Sequence, residues 1–148
     1  LEEVYTFSRM DLANLIYQTI ERIHPLAKDK GVRLLCDIPE QPALAYVDRD
    51  KMVQALINLV SNAIRHSKRQ VFIRLIIQEC NIILVEDDGD GLAIGESARV
   101  FERFFHGAKG DTGLGLSIAK AIVEKHHGKI YAENADEYGA RFTIELPR

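Results

Sequence analysis

Ile82-Ile83-Leu84-Val85-Glu86-Asp87-Asp88-Gly89-Asp90-Gly91 passes from four consecutive apolar residues into acids and two glycines. The apolar part reads as a strand that leaves the Asp87 carboxylate at its mouth. Gly89 and Gly91 then let the backbone turn sharply and let a flat ligand come close. A carboxylate so placed can accept a hydrogen bond from an exocyclic amine. Adenine carries one where guanine presents an oxygen, so an acid here selects adenine. Asp-Gly after a strand is equally a tight turn, and this stretch alone does not separate the two readings.

Upstream, Asn58-Leu59-Val60-Ser61-Asn62-Ala63-Ile64-Arg65-His66 lies on a helix that Asp48 or Asp50 caps and that runs to about Ser67. Val53, Leu56, Ile57, Val60 and Ile64 fall on one side of it, and Asn58, Asn62, Arg65 and His66 roughly opposite. An ordinary solvated helix face carries Lys and Glu. This one carries two asparagines a turn apart, then a cation and an imidazole. The Asn62 carbonyl is a hard oxygen ligand suited to Mg²⁺. Arg65 offers phosphate a fork of donors, and His66 can stack on or bond a purine. A buried, hydrogen-bonded amide pair fits the two asparagines as well.

Downstream, Asp111-Thr112-Gly113-Leu114-Gly115-Leu116 opens a helix whose apolar positions are Leu116, Ile118, Ala119, Ile122 and Val123 and which ends at Gly128. Backbone N–H groups at a helix start, with the dipole behind them, attract phosphate. A hinge ahead of a helix has the same composition. No Gly-Lys-Ser/Thr follows, so this is not a Walker loop, nor is it a Gly-x-Gly-x-x-Gly dinucleotide turn.

Around these stretches, residues 1–10 read as a connector without a period. Asp11 caps a helix marked by Leu12, Leu15, Ile16, Ile20 and Ile23, which Pro25 is expected to kink and Gly31 to stop. Residues 32–38 read as a strand with Val32, Leu34, Cys36 and Ile38 on one face, followed by a turn at Pro39 and Pro42 and a short strand at 45–47. Residues 71–77 pair with 82–85 as a hairpin through Glu79-Cys80-Asn81. A short helix is expected at 97–104 and a mobile loop at 106–112. Strands at 129–133 and 140–146 flank the turn Asp136-Glu137-Tyr138-Gly139. Strands and helices come in blocks. This predicts an α/β two-layer sandwich over residues 11–148: a mixed, mainly antiparallel sheet of about five strands, covered on one face by about three helices.

The 148 residues are the size of one domain, and 47% hydrophobic with 28% charged residues is a globular balance. A net charge of -3 with no basic block argues against nucleic-acid binding. No apolar run approaches the roughly 20 residues of a membrane span. No signal peptide is present and the chain begins at Leu1, so it reads as a piece of something longer. Cys36 and Cys80 sit in strand-like runs and read as reduced thiols in a cytosolic setting.

Together, Asn58…Asn62, Asp87-x-Gly89-x-Gly91, Phe101-Glu102-Arg103-Phe104 and Thr112-Gly113-Leu114-Gly115-Leu116 resemble the N, G1, F and G2 boxes of the sensor histidine kinase catalytic domain, a member of the Bergerat-fold ATPases shared with gyrase, Hsp90 and MutL. The resemblance spans about residues 10–148. It implies ATP and Mg²⁺ as cofactors, Asn62 as metal ligand and Asn58 lining the same site. It also implies Arg65 where the family usually has Lys, His66 where it usually has an aromatic or His, and Asp87 on the adenine amine. Gly89 and Gly91 would border the base, and Phe101 and Phe104 would pack under an ATP lid at 106–112. Thr112, Gly113, Leu114, Gly115 and Leu116 would face the phosphates.

Three departures stand out. Asp111 replaces a glycine, the lid is several residues short, and Arg65 presents a fork in place of a point charge. The hydrolysing relatives carry a glutamate base four residues before the metal asparagine. Asn58 stands there and cannot take a proton, which favours phosphoryl transfer to a protein histidine over hydrolysis. No histidine here sits in the phosphoacceptor pattern; His24, His126 and His127 read as structural. The resemblance therefore implies a separate dimerisation and phosphoacceptor domain reached through residues 1–10, a response regulator, a full-length homodimer, a monomeric fragment and the cytoplasmic end of a membrane-anchored sensor. The alternative is a nucleotide-binding scaffold with lost or weak kinase activity, supported by the short lid and Asp111.

Overall fold

The computed structural model describes residues 3–103, 105, 115–137 and 139–148. Its strands are β1 (Ser8–Asp11), β2 (Arg33–Asp37), β3 (Leu44–Val47), β4 (Gln70–Ile77), β5 (Asn81–Asp87), β6 (Lys129–Asn134) and β7 (Ala140–Leu146). Its helices are α1 (Leu12–Lys30), α2 (Arg49–His66) and α3 (Gly115–Lys125). Five strands form one sheet in the order β2-β4-β5-β7-β6. All its pairings are antiparallel except β2 with β4.

Alternation sets the two faces of the sheet. Val71, Ile73, Leu75, Ile83, Val85, Phe142 and Ile144 point to the side covered by the helices and are buried. Phe72, Leu84 and Glu86 point the other way and are half-buried, while Arg74 is exposed. This is the expected two-layer α/β sandwich. Within the helical layer α2 is central, packing on α1, α3, β4 and β5.

Helix ends follow local chemistry. Asp11 accepts from the Ala13 N–H and starts α1, and Gly31, at φ 76°, closes it in the left-handed region. α1 continues through an exposed Pro25 to Lys30. There the Lys30 ammonium donates to the carbonyls of Ile64, Arg65 and Ser67, holding the C-terminal end of α2.

Asp48 caps α2, taking the N–H groups of Lys51 at 3.0 Å and Thr6 at 2.7 Å. Its own N–H donates to His126 Nε2 at 3.0 Å, while His126 Nδ1 lies 2.8 Å from the Ile122 carbonyl. That pattern requires a neutral ring with its proton on Nδ1. Burial of the ring, only 4% exposed, pushes the His126 pKa down. His126 thus joins α3 to the start of α2, a structural role as expected from its sequence.

Three expectations are corrected. Residues 8–10, read within the connector, belong to β1, which pairs with β3 from Ser8↔Val47 to Asp11↔Leu44. A two-stranded surface ribbon is held by main-chain pairing and leaves no apolar period to read. The helix expected at 97–104 is a single 3₁₀ turn, Glu96–Ala98, continued by turns. Cys36, read on one face with Val32, Leu34 and Ile38, is exposed; it lies near the end of the edge strand β2, where burial falls away.

His127 closes α3 at φ 61°, among the described residues the one non-glycine with positive φ. Its N–H donates to the Glu124 carbonyl, and that of Gly128 to the Val123 carbonyl, the paired closure that favours glycine at the first of the two positions. His127→Gly relieves the left-handed strain and is expected to stabilise the chain by about 1 kcal/mol. The thermal midpoint should rise by roughly 3 °C, and an unchanged or lower midpoint refutes the strain argument.

Candidate functional site

Asp87 is the last residue of β5. It continues the inward series Ile83, Val85, and it is 6% exposed. One carboxylate oxygen, Oδ1, accepts from the Gly89 N–H at 2.8 Å and the Ala140 N–H at 3.3 Å. The other, Oδ2, accepts no hydrogen bond among the described residues. Desolvation pushes the Asp87 pKa above the ordinary carboxylate range, against the pull of those two N–H groups and of nearby His66. The result is a fixed acceptor whose second oxygen remains to be satisfied.

The loop after Asp87 is pinned to the end of α2. At Gly89, a Cβ would lie 1.9 Å from the His66 carbonyl oxygen, so only glycine fits. Asp88 turns the opposite way from Asp87 and accepts from the N–H groups of Lys68 at 2.8 Å and Arg69 at 3.1 Å. Two adjacent carboxylates thus do different work. Asp88 ties the loop to the α2–β4 connection, and Asp87 points to the other side, towards the helical layer.

The other glycine stretch meets α2 further along the same helix. Asn58 Nδ2 donates to the Gly115 carbonyl at 3.1 Å, which anchors the first residue of α3. Among the described residues, a Cβ on Gly115 would meet nothing closer than Asn58 at 3.9 Å. Asn58 and His66 are eight positions apart, roughly 12 Å along a helix. α2 is therefore a common wall, touching the Asp87 loop at its C-terminal end and α3 near its middle. Asn62 lies between them, 4% exposed, and its amide makes no hydrogen bond among the described residues. Arg65 is exposed and His66 half-exposed on the last turn. Leu116 is half-buried against the core. Phe101 packs edge-on against Phe142, ring centroids 5.9 Å apart. Phe104, Thr112, Gly113 and Leu114 lie outside the described residues, as does the whole of the expected lid at 106–112.

The β6–β7 hairpin contributes contacts that motif reasoning missed. Ala140 supplies one of the two N–H groups on Asp87. Gly139, at φ 88°, lies so close that a Cβ would sit 1.8 Å from the Asp87 carbonyl oxygen. Asn134 holds the backbone of Leu92 at 2.6 Å and 3.2 Å. A main-chain donor has no residue identity to recognise; the glycine in the 136–139 turn was the one signal available.

Residues 47–148 match the family of histidine kinase-, DNA gyrase B- and HSP90-like ATPases. The chain belongs to this family. It is 32% identical over 149 residues to the sensor protein kinase WalK of Staphylococcus epidermidis, covering 93% of this chain and 24% of that protein. It is 34% identical over 146 residues to the sensor histidine kinase MtrB of Mycobacterium tuberculosis, covering 93% and 26%. The mycobacterial sensor histidine kinase MprB superposes with a TM-score of 0.85 at 28% identity, covering 96% of this chain and 97% of that one. The chain thus spans about a quarter of the length of these curated relatives. It is an ATP-binding domain of the family, and no helix among its described residues is long and apolar enough to cross a membrane.

Proposed function

We propose that this domain binds Mg²⁺·ATP and transfers the γ-phosphate to a histidine on a separate dimerisation and phosphoacceptor domain of the same full-length protein. The observation that carries this reading is the single helix α2 joining both glycine stretches, His66 against Gly89 and Asn58 on Gly115, with Asp87 Oδ2 left open beside it. Adenine would lie at the Asp87 end, its amine donating to Oδ2. The triphosphate would run along α2 towards Gly113, Leu114, Gly115 and Leu116, with Arg65 in reach of its oxygens and His66 beside the purine.

The donor set fits magnesium. Among the described residues no cluster of three His, Cys, Asp or Glu could hold a metal by itself. A buried amide without a partner among the described residues suits an ion that keeps waters and phosphates as its other ligands. Asn62 would hold it through its carbonyl oxygen. The ion would neutralise charge on the β- and γ-phosphates. The chain's own residues bind, orient and shield. Asn58 donates an N–H hydrogen bond to the Gly115 carbonyl, and its amide is not basic enough to take a proton from water, so the side chain at that position cannot activate water. That absence of a base favours transfer over hydrolysis. Beyond the domain, the reading includes a response regulator that receives the phosphoryl group, a homodimeric full-length protein and a cytoplasmic position in a membrane-anchored sensor, with the domain alone monomeric.

Incubating the chain with γ-labelled Mg²⁺·ATP and a phosphoacceptor domain is expected to label that domain on histidine, with little phosphate released by the chain alone. Tight ATP binding without any transfer would support instead a nucleotide-binding scaffold, the reading that Asp111 and the short lid favour. Steady phosphate release by the chain alone would indicate a hydrolase and overturn the role given to Asn58.

A further inference from the structure

We propose that Asn134, outside all four motif stretches, is a positioning residue for nucleotide binding: it clamps the loop that follows Asp87 into the shape that receives the base. The inference rests on the pocket reading given above. Asn134 is the last residue of β6. Its Oδ1 accepts from the Leu92 N–H at 2.6 Å and its Nδ2 donates to the Leu92 carbonyl at 3.2 Å. A primary amide has one acceptor and two donors on adjacent atoms, so it can satisfy both main-chain groups of one residue, as a neighbouring strand would. Gly91, just before, is fitted to it. Its φ is 80°, and a Cβ there would lie 2.6 Å from Asn134 Oδ1. Side chain and glycine occupy one space.

The geometry gives this clamp a specific task. The Asp87 loop is held on its α2 side by Gly89 against His66 and by Asp88 on the Lys68 and Arg69 N–H groups. Its far end, at Gly91 and Leu92, is held by Asn134. Leu92 also packs partly into the core. Both Asn134 bonds are at the solvent-exposed surface, where neutral hydrogen bonds add little to global stability. Without the clamp the loop keeps one anchored end and gains freedom at the other, and a site displaced by even about 1 Å loses much of its binding. Asn134 therefore acts through the loop and not by touching the ligand.

The test titrates Mg²⁺·ATP and ADP calorimetrically into the wild-type chain, Asn134→Ala and Asn134→Asp, with Asp87→Asn alongside and a thermal melt of each. Asn134→Ala is expected to weaken ATP and ADP by the same factor, about tenfold, because the defect lies at the base end. Its melting temperature should stay within about 2 °C of the parent. Asn134→Asp keeps the acceptor for the Leu92 N–H but sets an oxygen against the Leu92 carbonyl, so its affinity should fall between the two. Unchanged affinities in Asn134→Ala, with binding lost in Asp87→Asn, overturn this inference and leave the pocket standing. So does a loss for ATP but not ADP, or a melting temperature lowered by more than about 5 °C, since either gives Asn134 another role. Wild-type binding by Asp87→Asn removes the pocket reading, and this inference with it.

Discussion

At pH 7, Asp87→Asn is expected to weaken ATP binding by about 100-fold while leaving the chain at least as stable as the parent. The affinity term comes from the geometry of Oδ2. Oδ1 is committed to the Gly89 and Ala140 N–H groups, so asparagine keeps its oxygen there and turns its NH₂ to the pocket. In the proposed binding mode the adenine amine would then meet a donor in place of an ionised acceptor. Loss of a charged hydrogen bond together with an unsatisfied buried donor costs about 3 kcal/mol, hence the 100-fold.

The stability term has the opposite sign from most core substitutions. Desolvation raises the folded-state pKa of Asp87, so the buried carboxylate favours its protonated form more than the unfolded chain does. Whatever stability it contributes is present below the ordinary carboxylate pKa and is lost as pH rises through the elevated value. At neutral pH the ionised group is a cost, which the asparagine removes. The difference in melting temperature between variant and parent should be greatest near neutrality and shrink on acidification. By the same linkage, ATP affinity of the parent should fall as pH drops through the raised pKa of the free site. A variant that binds ATP like the parent, or that melts well below it at pH 7, contradicts this account.

Local chemistry explains which features were legible beforehand. Asp11, Asp48 and Gly31 each satisfy helix ends within a few residues, so their caps can be read without knowing the fold. The alternation of β4, β5 and β7 follows from one covered sheet face. The convergence of the Asp87 loop and the Gly115 stretch on α2 was also readable, because an amide-rich helix face poor in charge announces that something other than water lies against it. Non-local pairing was hidden. Nothing in residues 32–38 states that β2 runs parallel to β4, nor in residues 140–146 that β7 inserts between β5 and β6. That insertion is what brings Ala140 to Asp87, 53 positions away in sequence. The short helix expected at 97–104 failed because its apolar residues serve separate contacts, Val100 in the core and Phe101 on Phe142, without needing helical geometry to reach them.

Gly139→Ala is expected to destabilise the chain by about 3 kcal/mol or more and to lower its melting temperature by roughly 10 °C. Two costs combine. The backbone there has φ 88°, where a residue with a Cβ is strained. The added methyl would also sit 1.8 Å from the Asp87 carbonyl oxygen and 2.7 Å from its carbonyl carbon. That neighbour is backbone in the paired end of β5 and cannot rotate away, so either the hairpin or the strand must shift. Gly31 separates the two costs. It has φ 76° with nothing among the described residues within 4 Å of its Cβ position, so Gly31→Ala incurs the backbone strain alone, about 1 kcal/mol. Urea unfolding of both variants checks the argument. If Gly139→Ala loses no more stability than Gly31→Ala, the close approach is soft and the hairpin is not a rigid support for Asp87. If it loses the larger amount, the folded fraction should also bind ATP weakly, because whichever side yields carries the Ala140 N–H or Asp87 itself out of register.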